Sequence, residues 1–419
     1  MEEKIYLCID LKSFYASVEC VERGLDPFYT NLVVADPSRG SGGICLAITP
    51  YMKEQGVKNR CRIFQIPKDM EYITAMPRMK LYMQYSADIY AVYLRYISPE
   101  DIHVYSIDEC FFDITAYMHL YGKNPREMAQ MLINAVYKET GISAAAGIGT
   151  NMFLAKVALD ITAKHAPDKI GYLDKKAFQE QVWHHRPITD IWNIGKGIAT
   201  RLERFGIYDL YDVAHANEKN LYREFGVNAE FLIDHAHGEE SCTIAEIKKF
   251  EAKSNSLSNS QILFENYNRK DALIVVKEMV DLLCLELVEK NLVTNSISLQ
   301  VGYGDKVSKP TGGTMKIDCY TNSATKLTEI FVSYFNKTVR KDVPIRKLTV
   351  GLNHLVVEEY VEYDLFADFE LDEKERKKQQ AIIEIRKKFG KNAIVKGMSL
   401  QEKATARTRN KLIGGHNGE

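Results

Sequence analysis

Three acidic residues stand where two predicted strands could bring them together. Asp10 ends an apolar run over residues 5–9, a pattern typical of a buried strand. Asp108 and Glu109 lie side by side in the aromatic segment 105–113, which we predict as a second strand. If the strands are neighbours, each pair of carboxylates at about 4 Å costs roughly 4 kcal/mol at an effective dielectric near 20. Two Mg²⁺ ions would remove that cost and would promote phosphoryl or nucleotidyl transfer. The alternative is a solvated Asp and a chance Asp-Glu pair in a hairpin.

The elements that must position these acids belong to a chain of 419 residues, which is long enough for two to four domains. Hydrophobic residues make up 46% and charged residues 26%, as expected of a globular protein. No apolar run approaches the roughly 20 residues of a membrane span, and the first residues do not resemble a signal peptide. The eight cysteines form no CxxC pair and are expected to be reduced. We therefore expect a cytoplasmic protein without a membrane segment.

The net charge of −1 hides an uneven distribution. Residues 253–355 carry 14 Lys and Arg against 10 Asp and Glu, and residues 370–419 carry 13 against 7, so the first 252 residues must be acidic overall. An acidic catalytic part followed by basic parts is what a metal enzyme that holds a polyanion would show. The same balance also occurs on surfaces that bind nothing.

Two segments resemble motifs of the Y-family DNA polymerases, the lesion-copying UmuC/DinB-like enzymes: residues 10–19, DLKSFYASVE, and residues 106–109, SIDE. The resemblance extends over most of the chain and implies an α+β multidomain fold of the right-hand type. It also implies a template-directed DNA polymerase without proofreading that adds dNTPs to a primer during damage bypass. By this resemblance, Asp10, Asp108 and Glu109 would hold two Mg²⁺ ions, with Mn²⁺ able to substitute. Leu11 would add its backbone carbonyl to one metal.

The resemblance also divides the chain into domains. It implies a palm of residues 1–18 and 78–167, small fingers 19–77, a helical thumb 168–240, a linker 241–252, a βαββαβ little finger 253–355 and a C-terminal tail 356–419. Hydrophobic periodicity predicts helices near 82–96, 124–140, 270–290 and 323–340. It also predicts two half-buried strands from the alternating residues Ile297, Leu299, Val301, Tyr303 and Leu348, Val350, Leu352. From this pattern alone, region 253–355 is an α+β domain.

The predicted nucleotide site lies around the first helix. Phe14 and Tyr15 open that helix close to Asp10. By resemblance, Tyr15 is the steric gate that stacks under the sugar and excludes a ribose 2′-hydroxyl; two core aromatics are the alternative. Lys156 follows Gly-Ile-Gly-Thr-Asn near a helix start, where phosphate is favoured. The matching Lys of the family contacts the triphosphate.

The fingers should add a further contact with the triphosphate. The family uses a Tyr and, three residues later, an Arg, but Pro50 and Lys53 occupy those positions here. Lys53 keeps the charge as a point donor without the Arg fork, and Tyr51 is a candidate for the missing hydroxyl. Arg60 and Arg62 are further candidates, and all these cations could instead be ordinary surface charges.

Contacts with primer-template DNA are predicted in the later domains. Residues 191–199 resemble a helix-hairpin-helix turn, in which Gly195, Lys196 and Gly197 would bring backbone N–H groups close to a phosphate. A plain helix connection is the alternative. The little-finger candidates are the basic residues Lys306, Lys309, Lys316, Arg346 and Lys347.

The segment 362–366 resembles the short peptide by which bacterial polymerases bind the sliding clamp. Glu362 stands where Gln is usual, and Asp364, Leu365 and Phe366 complete the motif. A local hydrophobic staple is the alternative. We expect a monomer that binds primer-template DNA, a dNTP and a sliding clamp.

Two other functions compete with this one. A nucleotide cyclase uses a related palm with paired acids, but it has no use for the thumb, little finger and clamp peptide that the rest of the chain resembles. A catalytically silent DNA-binding accessory protein would not need Asp10, Asp108 and Glu109. Primer extension with Mg²⁺ separates the three hypotheses.

Overall fold

The computed structural model describes residues 4–251, 255–305, 307–358 and 369–418 and divides the chain into two compact units. The first unit extends to Phe250 and includes the C-terminal residues from His416 onward, and the second extends from Glu251 to Gly415. The division falls inside the predicted linker 241–252. Among the residues so described, no helix has both the length and the apolar character needed to cross a membrane.

The first unit opens with β1 (Tyr6–Leu11) and α1 (Phe14–Val21). Five of the six β1 residues are buried, as the apolar run predicts. A small α/β region follows, where the fingers are predicted, with β2 (Leu32–Val34), β3 (Ala47–Ile48), α2 (Pro50–Glu54) and β4 (Ile73–Ala75). Its three strands pair in the order β3-β2-β4.

The chain then builds the main sheet of the first unit and the helices that cover it. These elements are α3 (Met79–Tyr93), β5 (Ile102–Val104), β6 (Glu109–Asp113), α4 (Thr115–Tyr121), α5 (Pro125–Thr140), β7 (Ala144–Gly149), α6 (Met152–Val157) and β8 (Ile170–Leu173). The strand order is β5-β6-β1-β7-β8, so β1 is central. β8 pairs with β7 although it follows residue 168, where the thumb is predicted to begin.

The predicted strand 105–113 is wrong over its first four residues. Residues 105–108 form a turn between β5 and β6, so the strand with Glu109 begins only there. The backbone N–H groups of Tyr105 and Ser106 both donate to the Glu109 carbonyl, at 3.0 and 3.1 Å. A tight turn therefore carries Asp108, which the aromatic composition of the segment did not indicate.

The rest of the first unit is helical, with α7 (Lys175–Gln181), α8 (Lys196–Glu203), α9 (Leu210–Ala214), α10 (Glu218–Phe225), α11 (Asn228–Ala236) and α12 (Ile244–Lys249). Buried Phe178, Leu202 and Leu221 belong to one hydrophobic core here. α12 lies within the predicted linker, where Thr243 and Glu246 form a capping box at its start.

The second unit has the predicted βαββαβ order. Its elements are β9 (Ser256–Tyr267), α13 (Arg269–Glu289), β10 (Leu292–Tyr303), β11 (Thr311–Thr321), α14 (Ala324–Thr338), β12 (Ile345–Asn353) and β13 (Val356–Val357). The main sheet is antiparallel in the order β11-β10-β12-β9, and β13 adds to β10. The predicted alternation is confirmed, because Ile297, Leu299 and Leu348 are all buried in one core.

Most of the predicted tail also folds in the second unit. It forms α15 (Phe369–Phe389), α16 (Ala406–Arg409) and β14 (Leu412–Ile413), and the last element, β15 (His416–Asn417), belongs to the first unit. α15 and α16 both contact α13. The buried Glu278 carboxylate of α13 accepts hydrogen bonds from the N–H groups of Thr405 and Ala406, at 2.9 and 3.0 Å. These contacts attach residues 405–409 to the domain predicted as the little finger.

Candidate active site

The predicted meeting of the acidic segments is confirmed by strand register. Asp10 of β1 stands opposite Glu109 of β6 in an antiparallel pair. Residues directly opposite one another point to the same face of a sheet, with Cβ atoms about 4.5–5.5 Å apart. Asp108 adjoins them, because its carbonyl accepts a hydrogen bond from the Leu11 N–H at 3.0 Å. Ser106 donates to the Asp108 carboxylate at 2.7 Å and supports it from within the turn.

The electrostatics of Asp10 indicate a need for positive charge. Burial raises the pKa of Asp10 to about 8, and the neighbouring charges of Asp108 and Glu109 act in the same direction. A divalent cation beside these carboxylates would reverse that shift, and carboxylate oxygens are the ligands that Mg²⁺ prefers. The donor chemistry therefore fits the ion. The described side chains nevertheless form no ready-made group of three or more His, Cys, Asp or Glu around a metal position.

Lys156 explains part of why the carboxylates do not form a ready-made metal site. Its side chain is only 8% exposed, and its ammonium group donates to the carboxylates of Glu109 and Asp160, the latter at 2.9 Å. Burial lowers the pKa of Lys156, but the charges of Asp160 and Glu109 outweigh burial and raise it above the ordinary value. The predicted triphosphate ligand therefore lies on the acid cluster and neutralises Glu109.

Lys156 reaches this position because α6 lies directly on β7. A Cβ atom on Gly147 would come within 2.0 Å of the Ala155 carbonyl oxygen, so a larger residue would push the helix away. The Asn151 side chain caps α6 by accepting a hydrogen bond from the Leu154 N–H at 2.8 Å. Glycine at 147 and the Asn cap thus set where the lysine projects.

The two aromatics at the start of α1 lie in different surroundings. Phe14 is only 3% exposed and belongs to the core. Its side chain therefore offers little surface for the predicted contact with the nucleotide. Tyr15 is half-buried and stacks on Tyr82, with ring centroids 4.4 Å apart and 14° between the planes. Burial raises the pKa of Tyr15, and the charge of Asp108 adds to the effect. Tyr15 is therefore the aromatic on the side of the acids.

The two predicted triphosphate contacts of α2, Lys53 and Tyr51, also differ in their surroundings. Lys53 is exposed, and the surrounding protein lowers its pKa while the charges of Asp10 and Asp108 act in the opposite direction. Tyr51 is half-buried in the first turn, and its N–H lies 3.4 Å from the Pro27 carbonyl. Lys53 is thus within the electrostatic range of the acid cluster.

Sequence reasoning missed two further cations and one acid. Burial lowers the pKa of Lys12, with a further contribution from the charge of Lys169, and Asp10 acts in the opposite direction. Asp160 pairs with Lys156 from one helical turn away. The proximity of Lys12 to Asp10 in the chain could have revealed the first, and the spacing of four residues between Lys156 and Asp160 could have revealed the acid. Lys169 comes close only through the fold.

The turn before α8 is exposed at the three residues where the phosphate contact is predicted. Gly195 caps α8, and Lys196 and Gly197 begin it. All three residues are exposed, and a Cβ added to either glycine would meet no atom within 4 Å. The turn accordingly has free space beside both glycines.

The sheet of the second unit leaves one face open for the predicted DNA contacts. Lys316 stands opposite Ser296, and Lys347 stands opposite Gly302, on the face away from the buried apolar residues Ile297, Leu299 and Val301 of β10, although Ser296 itself is buried. Lys316, Lys347 and Lys309 are exposed, and Arg346 is half-exposed. Lys306 and the clamp segment with Glu362, Asp364, Leu365 and Phe366 lie outside the described residues.

This combination of folds defines the chain as a polymerase of the Y-family type, with a palm, small fingers, a helical thumb and a little finger. A solved Y-family DNA polymerase chimera, Dbh-Dpo4(243-245)-Dbh, superposes with a TM-score of 0.63 and 21% sequence identity, covering 84% of this chain and 99% of the chimera. At this identity the likeness concerns the fold.

The family is shown by sequence. The model of the impB/mucB/samB family matches residues 9–160, and the model of its C-terminal domain matches residues 254–365. The putative UV-damage repair protein UvrX of Bacillus subtilis is 32% identical, covering 99% of this chain and 97% of the relative. DNA polymerase IV 2 of Halalkalibacterium halodurans is 29% identical, covering 99% of both chains. The chain belongs to the impB/mucB/samB family of Y-family DNA polymerases.

Proposed function

We propose that this chain is a template-directed DNA polymerase of the translesion type, which adds dNTPs to a primer during DNA damage bypass without proofreading. The observation that carries the proposal is the pairing of Asp10 with Glu109 beside Asp108 on one sheet. The family membership and the names of the relatives, a UV-damage repair protein and DNA polymerases IV, support the same activity.

Asp10, Asp108 and Glu109 are the residues proposed to hold two Mg²⁺ ions, with Leu11 contributing its backbone carbonyl and Mn²⁺ able to substitute. Bound there, the ions would lower the pKa of the primer 3′-hydroxyl and neutralise the triphosphate and the departing pyrophosphate. The raised pKa of Asp10, about 8, supports a site that is completed by added positive charge.

The chain's own side chains would bind and select the nucleotide. Tyr15 offers a flat ring, held by Tyr82, on which a deoxyribose can stack and against which a 2′-hydroxyl would collide. Lys156 and Lys53 are the proposed ligands of the triphosphate, because both lie in the field of the acid cluster. Tyr51 is retained as the proposed hydroxyl donor. Phe14 then acts as a core support for Tyr15, its neighbour in the helix.

Primer-template DNA would be bound through its phosphates. The exposed turn at Gly195, Lys196 and Gly197 and the open sheet face with Lys316 and Lys347 support contacts that do not depend on base sequence. Lys306, Lys309 and Arg346 are proposed to add to them. We also propose that segment 362–366 binds the sliding clamp, and that the protein acts as a monomer in the cytoplasm, where chromosomal DNA and dNTPs meet.

The competing hypotheses leave parts of the chain unexplained. A nucleotide cyclase has no need of the exposed glycine turn before α8 or of the open, basic sheet face in the second unit. A silent accessory protein gives no reason for three carboxylates to be brought together at a cost in stability.

Primer extension on a primer-template with Mg²⁺ tests the proposal. Asp108→Asn should abolish extension while DNA binding survives, because duplex affinity comes from phosphate contacts elsewhere. Asp113→Asn is the matched control: it changes an acid at the far end of β6, the strand that follows the Asp108 turn, where Asp113 pairs with Lys4 at 3.0 Å. Substantial turnover in Asp108→Asn, or equal loss in both variants, would remove Asp108 from the metal site.

A further inference from the structure

Trp192, in the turn before α8, makes a direct contact with the hairpin that carries the acids. Its indole N–H donates to the Tyr105 hydroxyl at 3.1 Å, and the two rings meet edge to face with centroids 5.8 Å apart. Trp192 stands three residues before Gly195, and Tyr105 stands three residues before Asp108. The contact therefore joins the proposed phosphate-binding turn to the turn of the acid hairpin.

The hairpin needs support from outside because of its place in the sheet. β5 is a three-residue edge strand, and β6 is its only neighbour in the described sheet. Tyr105, which follows β5, remains 43% exposed although it packs on Phe111 and Trp192. β5 also packs on α12, and the Trp192 contact adds a second support at the turn that follows β5.

Trp192 packs against both the main sheet and the helical region of the first unit. Its ring packs at the edge of the core around the main sheet and of the core of the helical region. It lies 6.0 Å from Phe111, measured between ring centroids, and stacks on His235 at 6.3 Å. His235 in turn stacks on Phe153 of α6 at 4.1 Å. A movement of the turn before α8 would therefore move Trp192 against the sheet.

We propose that Trp192 and Tyr105 are positioning residues that couple phosphate binding at the Gly195–Gly197 turn to the placement of Asp108 and Glu109. This inference rests on the proposed polymerase function. DNA held at the turn keeps the indole against Tyr105, and Tyr105 keeps the hairpin in the register that sets Glu109 opposite Asp10. Neither residue touches the substrate in this proposal, so both act through the acids.

Trp192→Phe and Tyr105→Phe each remove the hydrogen bond and keep an aromatic ring. Each should lower kcat at saturating DNA and dNTP about three- to tenfold, which is the rate change that corresponds to the free energy of one hydrogen bond. Each should also raise the Mg²⁺ concentration for half-maximal rate and leave the Kd for primer-template within about twofold. The double variant should lose no more than one single variant, because the same bond is removed once.

Trp183→Phe is the matched control. Its indole N–H donates to the Ala236 carbonyl at 2.8 Å, within the helical region, so the substitution removes a bond of the same kind away from the hairpin. It should leave kcat and the Mg²⁺ dependence unchanged. The chain has two tryptophans, so this variant also leaves Trp192 as the single emitter. Its fluorescence should shift on addition of primer-template, and adding Tyr105→Phe should abolish that shift.

Three results would overturn the coupling: an unchanged kcat in Trp192→Phe and Tyr105→Phe, additive losses in the double variant, or an equal loss in Trp183→Phe. Thermal melting of each variant separates a folding defect from a positioning defect, and Tyr105→Phe alone keeps the test decisive if Trp192→Phe does not fold. If the unaltered protein extends no primer, the polymerase proposal fails. The fluorescence shift with DNA then still decides whether Trp192 and Tyr105 are coupled.

Discussion

Replacing Tyr15 with alanine tests the proposed selectivity for deoxyribonucleotides. The Tyr15 ring is half-buried and stacks on Tyr82 with centroids 4.4 Å apart, so a protein neighbour holds it in place before any nucleotide binds. Tyr82 is fixed in turn, because it is fully buried and its hydroxyl donates to Glu19 at 2.7 Å. A ring held in this way cannot move aside for a 2′-hydroxyl, and truncation to alanine would remove the obstacle.

The magnitude follows from the one substrate group that is excluded, the 2′-hydroxyl. A pocket discriminates roughly 10- to 200-fold against one additional group of about this size. We therefore expect the ratio of kcat/KM for dCTP to that for rCTP to fall roughly 10- to 200-fold, which is about 1.4–3.1 kcal/mol. The loss of stacking should cost dCTP itself only about 0.5–1.5 kcal/mol, or up to roughly tenfold in kcat/KM.

Single-nucleotide insertion opposite template G measures this ratio. Tyr15→Phe keeps the ring and should keep most of the selectivity. Tyr82→Phe is a second control, because it keeps the stack and loses only the hydroxyl contact with Glu19. If the ratio in Tyr15→Ala equals that of the unaltered protein, Tyr15 is a core aromatic and another group excludes the ribose.

Three further outcomes are expected. Deleting residues 362–366 should leave basal primer extension unchanged and remove stimulation by the cognate sliding clamp, since two apolar anchors are typical of peptide-in-groove binding; retained stimulation would refute the motif. Lys347→Ala should weaken the binding of unrelated duplexes equally and reduce the slope of log Kd against log salt by about 1, whereas a sequence-selective loss would count against a phosphate contact. Glu19→Gln should lower the free energy of unfolding by about 1.5–3 kcal/mol at neutral pH, because the fully buried carboxylate accepts hydrogen bonds from Arg78. Burial raises the pKa of Glu19, but its hydrogen bonds with Arg78 and Arg23 lower it below the ordinary value. The stabilisation is thus present above the unfolded-state pKa and lost as pH falls through the folded-state pKa. Thermal melting at neutral and acidic pH measures this, and the difference in stability between Glu19→Gln and the unaltered protein should become smaller in acid.

Local patterns predicted many of the elements that the structure contains. The apolar run before Asp10 became β1, and the signals around 124–140 became α5, with Asn124 as its cap and Glu127 completing a capping box. The alternation in β10 and β12 located the core of the second unit. These predictions succeeded because burial of one face imposes a period of two or 3.6 residues on the sequence itself.

Other features followed from contacts between distant residues. β8 joined the main sheet although it lies past the predicted start of the thumb, because parallel pairing with β7 buries Ile170 and Leu173. α15 and α16 joined the second unit through α13. A charged segment such as 370–390 is typical of a solvated helix. The sequence does not show which part of the chain packs against its few apolar residues.

Motifs in the sequence were enough to name the groups at the site: three carboxylates in two segments, an aromatic pair after the first, and a lysine near a helix start. Their arrangement came from the fold. It placed Asp10 opposite Glu109, moved Asp108 into a turn, directed Lys156 onto Glu109 and Asp160, and separated half-buried Tyr15 from buried Phe14. Asp10 pairs with Glu109, 99 positions away, and with Ala145, 135 positions away. No local periodicity encodes such pairs, so the chemistry could be predicted from composition and motif while its geometry required the fold.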